Sequence, residues 1–401
     1  MSFDPHAPEF RVNPYPVYEE LRETAPITYS DNTRMWVVSR YDDVSALLKD
    51  RRFGRSLDGT PVATLRPRST PDNPMHPFLK LSEGSLFDKE PPDHTRLRGL
   101  VHKAFTPKRV GALREKIQTV TNDLLDAIEA DGEADLLETY AVPLPVTVIA
   151  EMLGVPEADR HHLRPWSHDI VAMYELAHTP EQAQAAVRAA SEFSAYLRAL
   201  ATERRARPGD DLLTALVEAE EDGDHLTEDE LVATCILLLN AGHEATVNVV
   251  GNGLYALLTR PDQAAKLRAN PALTPTAVEE MMRFDTPLQL FRRKAREDVV
   301  YQGHAFPAGA EIALLFGSAN RDPRRFSAPD SLDITRPDNP HISFSAGIHY
   351  CLGAPLARLE LNVSIATLMR RFPRLRLVGP EPRYRDSFVI RGLETLQVAW
   401  S

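Results

Sequence analysis

Phe344-Ser345-Ala346-Gly347-Ile348-His349-Tyr350-Cys351-Leu352-Gly353 leads straight into Ala354-Pro355-Leu356-Ala357-Arg358-Leu359-Glu360, a helix-forming segment. Cys351, one of two cysteines in 401 residues, thus stands just ahead of a helix. Backbone N–H groups and the positive end of the helix dipole favour a thiolate there. Gly347 lets the chain turn into the loop, and Gly353 removes a Cβ where a flat ligand would press on the backbone. Pro355 suits the first helical turn, where its missing N–H is no loss. Ala354 and Ala357 keep one side of the helix thin. The stretch reads as a socket for a metal macrocycle held by one sulfur. The competing reading is a small buried hydrophobe, which is what most free cysteines are.

Composition narrows the classes. With 43% apolar and 26% charged residues the chain can fill a large core and stay in solution. A net charge of −11 without a basic stripe argues against nucleic acid. Two cysteines, Cys235 and Cys351, are too few for a disulfide framework and suit a reducing cytoplasm. Met1 to Phe10 lacks the basic-then-apolar pattern of an export signal. The longest apolar run, Leu231 to Leu239, is far shorter than the ~20 residues that cross a bilayer, so no membrane anchor is expected. No Gly/Ser linker, charge block or internal repeat divides the chain, so residues 1–401 read as one domain.

Most segments carry the 3.6-residue spacing of amphipathic helices: Asn13 to Arg22, Arg109 to Asp131, Val187 to Arg207 and Glu228 to Leu258. Strand-like stretches are few: Ile27 to Val38, Asp298 to Gln302, Glu311 to Phe316, Leu375 to Val378 and Thr395 to Trp400. The expected fold is mainly α with a small antiparallel β subdomain. Proline-rich Leu57 to Pro92, and Arg160 to Pro180 with His161, His162 and His168, show no period and read as long loops. The histidines of the second are most simply solvated surface.

Two further patterns carry chemistry. Glu280-Met281-Met282-Arg283 sets a carboxylate and a guanidinium three apart on a helix. In Leu237-Leu238-Leu239-Asn240-Ala241-Gly242-His243-Glu244-Ala245-Thr246 a long apolar helix meets Ala-Gly and then an acid. Ala241 and Ala245, four apart, make a bare patch, and Gly242 costs about 1 kcal/mol against alanine unless a local distortion is wanted. Close helix packing explains the alanines but not a glutamate beside them.

With Phe-x-x-Gly-x-x-x-Cys-x-Gly around Cys351, these motifs stand in the order of the cytochrome P450 family, which the whole chain resembles. The resemblance implies the family fold and haem b, with Cys351 as the axial iron ligand and Phe344, Gly347, Gly353 and Ala357 around it. It implies that His94, Arg98, Arg293 and His341 hold the haem propionates. Arg336 becomes the third member of a buried network with Glu280 and Arg283 that positions the socket and does no chemistry. The loops at 57–92 and 160–180 become a mobile lid over the substrate.

One departure stands out. The family pattern is Ala-Gly-x-(Asp/Glu)-Thr, yet Ala245 holds the threonine's place and Thr246 lies ~100° further round the helix. Ordered water or a substrate hydroxyl is the expected substitute, with Glu244 as the link to solvent. A polyoxygenated molecule such as a macrolide would suit that arrangement.

The resemblance further implies a soluble, cytoplasmic, monomeric monooxygenase of bacterial secondary metabolism. It would hydroxylate or epoxidise a lipophilic molecule such as a polyketide, terpenoid or steroid, using O2. Electrons would come from a ferredoxin and its reductase, docking on exposed Arg or Lys near the cysteine, Arg358 among them. Candidate pocket residues are Leu86, Phe87, Leu237, Ala241, Leu288, Leu290, Phe291, Phe388, Val389 and Ile390, with Asn240, Gln289 and Arg391 able to read a substrate oxygen. Oxidative coupling or desaturation on the same haem, and a haem-binding protein without turnover, remain open. Peroxide-driven chemistry is disfavoured by the retained Glu244.

Overall fold

A computed structural model of the chain describes residues 3–57, 60–61, 69–221 and 223–401. It divides into two compact units, one made of residues up to 53, 114–145 and 244 onward, the other of 54–113 and 146–243.

The sheet of the first unit starts from a hairpin, Ile27–Ser30 antiparallel to Met35–Val38. Met35–Val38 runs parallel to Glu311–Leu315, which pairs antiparallel with Leu290–Ala295. Val38, Val44, Leu47, Ile312, Leu314 and Phe316 form the core beneath it. Sequence reading missed the strand Leu290–Ala295, because Arg292-Arg293-Lys294 hides its alternation under three consecutive cations. A second antiparallel sheet joins Glu133–Asp135, Gln397–Ala399 and Arg376–Leu377.

Helices fall largely where periodicity places them, with informative differences. The segment expected as one helix from Arg109 to Asp131 is two, Pro107–Ala112 and Arg114–Ile128. Glu228–Leu258 is a single 31-residue helix, and the unit boundary falls inside it. It runs unbroken through Ala241-Gly242. Close packing accounts for the glycine, since a Cβ on Gly242 would lie 2.4 Å from Ile149 Cδ1. The helix after the cysteine, Ala354–Arg371, is 18 residues long, with proline in its first turn and Arg370 and Arg371 in its last, matching the macrodipole at that end.

The two segments read as irregular loops carry regular structure. His76–Gly84 is a helix with proline in its first turn, followed by a 3₁₀ turn at Leu86–Asp88. Residues 58–59 and 62–68 of that stretch, Pro67 included, lie outside the described residues. The second segment holds a helix, Leu163–Val171, between 3₁₀ turns at Glu157–His162 and Ala172–Tyr174. Its histidines 161, 162 and 168 are exposed, and Trp166 stacks between His162 and Phe193. Among the described residues no helix is long and apolar enough to cross a membrane.

Candidate functional site

Hydrogen bonds and two left-handed residues fix the cysteine loop. Cys351 N–H donates to Phe344 O at 2.9 Å, closing the loop, while Ser345 N–H donates to Ile342 O and Tyr350 N–H to Gly347 O. Ser345 and Gly347 adopt φ of 63° and 71°. At Gly347 a side chain is excluded twice, by that φ and by Leu48 O only 2.5 Å from where a Cβ would stand. Asn320 anchors the approach, accepting from Ile342 N–H at 2.9 Å and donating to Ser343 Oγ at 2.9 Å. Cys351 is half-buried at the loop mouth. The other cysteine, Cys235, is buried, and burial pushes its thiol up to about 12, so it is inert.

Glu280, Arg283 and Arg336 meet in one buried network. Arg283 grips both Glu280 oxygens at 2.8 Å, and Arg336 Nε donates to Oε2 at 3.0 Å. Asp333 N–H and Asn339 Nδ2 also donate to that carboxylate. The arginine forks continue to the carbonyls of Asn320, Ser327 and Pro329. Every lone pair of a buried charge is thereby used, as such an ion pair requires.

The neighbouring Glu279 gives two of the sequence candidates a protein partner. His341 Nε2 lies 3.0 Å from Glu279 Oε2, and Nδ1 accepts from Ser343 N–H, so both ring nitrogens have protein partners. Arg358, expected at a docking face, clasps Glu279 at 2.7 and 2.9 Å, donates to Tyr350 Oη and lies 4.5 Å over the Phe344 ring. It staples the cysteine helix and loop to helix Thr274–Phe284. Burial raises the Glu279 carboxyl, but the bonds from Arg358 and His341 outweigh that and hold it down at about 2. Arg293 is buried on its strand, 4.7 Å over Phe291. His94, buried, and Arg98, partly buried, share one face of helix Asp93–Ala104 in the second unit.

On helix Glu228–Leu258 the neighbours split sharply. Ala241 and Ala245 are exposed in mid-helix, whereas Thr246 is only 4% exposed. The two positions therefore face different ways, as the one-residue step requires. Glu244 is buried with Arg385 Nη1 at 3.6 Å from its carboxylate.

The pocket candidates separate on inspection. Leu288 and Ile390 form a bridge, and Gln289 N–H donates to Val389 O, so residues 288–291 and 388–391 lie side by side. Three candidates face the core instead. Phe388 packs on Phe3 and Phe10. Gln289 accepts from Tyr18 Oη and donates to Thr286 O. Arg391 binds Asp285 at 2.9 Å, bonds Arg11 O and Val12 O, and stacks on Tyr384. Leu290 is likewise core, at 1% exposure.

In the second unit a cavity of about 10 Å³ is lined by Phe87, Tyr174, Ile170 and Leu237 among others. Phe87 stacks on Tyr174, and Arg55, paired with Asp88 at 3.1 Å, lies over the Phe87 ring, 4.1 Å from its centroid. Asn240 sits by the Tyr174 phenol, which burial pushes up to about 12. Sequence reading missed Tyr174, Arg55 and Asp88, since only tertiary contact brings them beside Phe87. Glu360, nine residues past the cysteine, was also missed: it is buried, one oxygen has no hydrogen-bond partner, and burial pushes the carboxyl up to about 8.

Within the first unit, a thiol donor on a hydrogen-bonded loop and the buried Arg293 guanidinium match what an anionic metal macrocycle needs. A family model for cytochrome P450 matches residues 161–395. The polyketide biosynthesis cytochrome P450 PksS of Bacillus subtilis (strain 168) is 40% identical over 100% of this chain and 99% of its own. The chain belongs to the cytochrome P450 family. Cytochrome P450 monooxygenase PikC of Streptomyces venezuelae is 41% identical over 98% of this chain and 92% of its own. Among solved structures, P450BioI in complex with an acyl carrier protein ligated to hexadec-9Z-enoic acid superposes with a TM-score of 0.92 at 37% identity, covering 98% of this chain and 99% of that one. This P450 is a monooxygenase whose cofactor is haem b.

Proposed function

We propose that this P450, working as a single haem domain, hydroxylates or epoxidises a lipophilic, oxygen-bearing small molecule of the polyketide or macrolide kind, with electrons from a separate ferredoxin and its reductase. Bound haem supplies dioxygen activation and C–H oxidation, chemistry that belongs to the cofactor and not to the chain. The residues do the rest. Cys351 would give its sulfur to the metal and Arg293 would match a propionate, a role the family resemblance extends to His94 and Arg98. His341 would join them by sharing its Nε2 proton between Glu279 and a propionate. Glu244 holds a proton at its carboxylate and passes it from solvent toward the open face of Ala245. Without an alcohol there, a water or a hydroxyl on the substrate completes the path, and a polyoxygenated substrate provides one.

The single observation that carries this reading is the pairing of an exposed Ala245 with a buried Thr246 next to a buried acid. The name of one relative, the polyketide biosynthesis cytochrome P450 PksS, points toward the same substrate class. Titrating the ferric holoprotein with macrolides, terpenes and steroids, and following the spin-state change in the Soret band, finds the class. Turnover with a surrogate ferredoxin and reductase, with mass analysis of products, then separates a gain of one oxygen from loss of two hydrogens or coupling. A panel in which macrolactones give no shift while steroids or terpenes do overturns the polyketide assignment.

A further inference from the structure

The polar residues on one face of the long helix line up beside a single chain segment. Glu244, Asn248 and Asn252 are spaced four apart, so they share a face. Opposite them runs residues 384–393, a narrow turn closed by the Tyr384–Leu393 bridge and by Arg385 N–H donating to Gly392 O at 2.9 Å. Each rung touches it. Arg385 Nη1 stands 3.6 Å from the Glu244 carboxylate. At Gly392 a Cβ would lie 1.9 Å from Asn248 Oδ1, and Asn252 Nδ2 donates to Arg391 O at 3.1 Å. Asn248 Nδ2 donates to Glu244 O, tying the first two rungs together. The Arg385 guanidinium is itself aimed, its Nε donating to Leu393 O at 3.1 Å. At its tip the same turn carries Val389 and Ile390, which lie along Gln289 and Leu288.

We propose that Arg385 is a positioning residue for Glu244: its charge holds the carboxylate in place, so the turn that carries Val389 and Ile390 is latched to the group that handles the proton. This rests on the reading of Glu244 given above. Arg385 is one-third exposed while Glu244 is largely buried, so the pair reaches from solvent into the helix face. A guanidinium at that boundary keeps the acid oriented without sealing it from water.

The test uses purified holoprotein and four variants: Glu244→Gln, Arg385→Gln, Arg385→Lys and the double Glu244→Gln/Arg385→Gln. The first readout is deuterium uptake by peptides covering residues 384–393 in the ferric holoprotein. Uptake there rises in both Glu244→Gln and Arg385→Gln, and stays near wild type in Arg385→Lys. The second is the rate of NADPH-driven oxygen consumption with a surrogate ferredoxin and reductase, which supply both electrons, in H2O and in D2O. Glu244→Gln slows it by about 10²-fold, the contribution of one positioned proton donor. Arg385→Gln slows it by about threefold to tenfold, Arg385→Lys restores it, and the double variant is no slower than Glu244→Gln. Lysine keeps the charge but not the Nε bond to Leu393, so rescue separates latching from mere support of the turn. Unchanged rate and isotope effect in Arg385→Gln, with Glu244→Gln slow, overturn the role of Arg385 alone. Unchanged rate in Glu244→Gln overturns the reading of the acid itself.

Discussion

Glu360→Gln should stabilise this P450 near neutral pH and do almost nothing below about pH 4.5. Glu360 is 1% exposed on the cysteine helix, and burial alone pushes its carboxyl from 4.5 up to about 8. The sign follows from linkage. With the folded value above the unfolded one, the group favours folding fully only below about pH 4.5. Its contribution is then lost progressively as pH rises toward 8, because the unfolded chain releases a proton that the folded chain retains. The gap between 4.5 and about 8 makes that loss about 1 kcal/mol at pH 5.5 and about 3 kcal/mol at pH 7. Glutamine has the same shape as the protonated acid and does not titrate, so the variant escapes the loss. For a chain of 401 residues, about 3 kcal/mol corresponds to roughly 3–4 °C in melting temperature. Thermal melts of ferric holoprotein at pH 5.5, 6.3, 7 and 8, followed by far-UV circular dichroism, measure it. The difference between variant and wild type should widen steadily with pH. A variant less stable throughout, or an offset that does not change with pH, would refute the argument, because either means that Glu360 is ionised and paired in the folded chain.

Other substitutions probe the socket and the helix above it. Arg336→Ala leaves the Glu280 carboxylate, 0% exposed, short of one of its two cations, at a cost of about 3–5 kcal/mol; denaturant midpoints should fall and haem should be lost on gel filtration, and a midpoint within 1 kcal/mol of wild type would show the network to be dispensable. Arg293→Ala should lower haem retained per chain while leaving the far-UV spectrum unchanged, and full stoichiometry after gel filtration would remove Arg293 from the propionate site. Ala245→Thr puts a hydroxyl on the exposed face of the helix and should change the fraction of electrons that emerge as peroxide during turnover; identical coupling would mean that no relay runs past that position.

What the sequence exposed and what it hid divide along a physical line. Loops that must hold a fixed shape write themselves into local residues: Gly347 at φ 71°, proline in the first turn of Ala354–Arg371, an alanine pair four apart. Each is legible because the constraint acts within a few residues of its cause. The polar pocket candidates were not legible, because a buried amide or guanidinium is claimed by whichever partner the fold brings close. Gln289 is taken by Tyr18, 271 residues away, and Arg391 by the carbonyls of Arg11 and Val12, 379 or more away. Apolar spacing likewise could not say that Phe388 turns toward Phe3 and Phe10 rather than toward a ligand. Gly242 shows the limit from the other side, since a glycine inside a helix signals either distortion or a close neighbour, and only Ile149 decides between them. The same reasoning bears on Glu244. A motif can place an acid on a helix beside open alanines, but the cation that orients it comes from a segment about 140 residues later, at a distance no local pattern encodes. On the proposal made above, proton handling in this P450 depends on a contact between a legible motif and an illegible one, and Arg385 is where a sequence variant would alter the reaction while leaving every family signature intact.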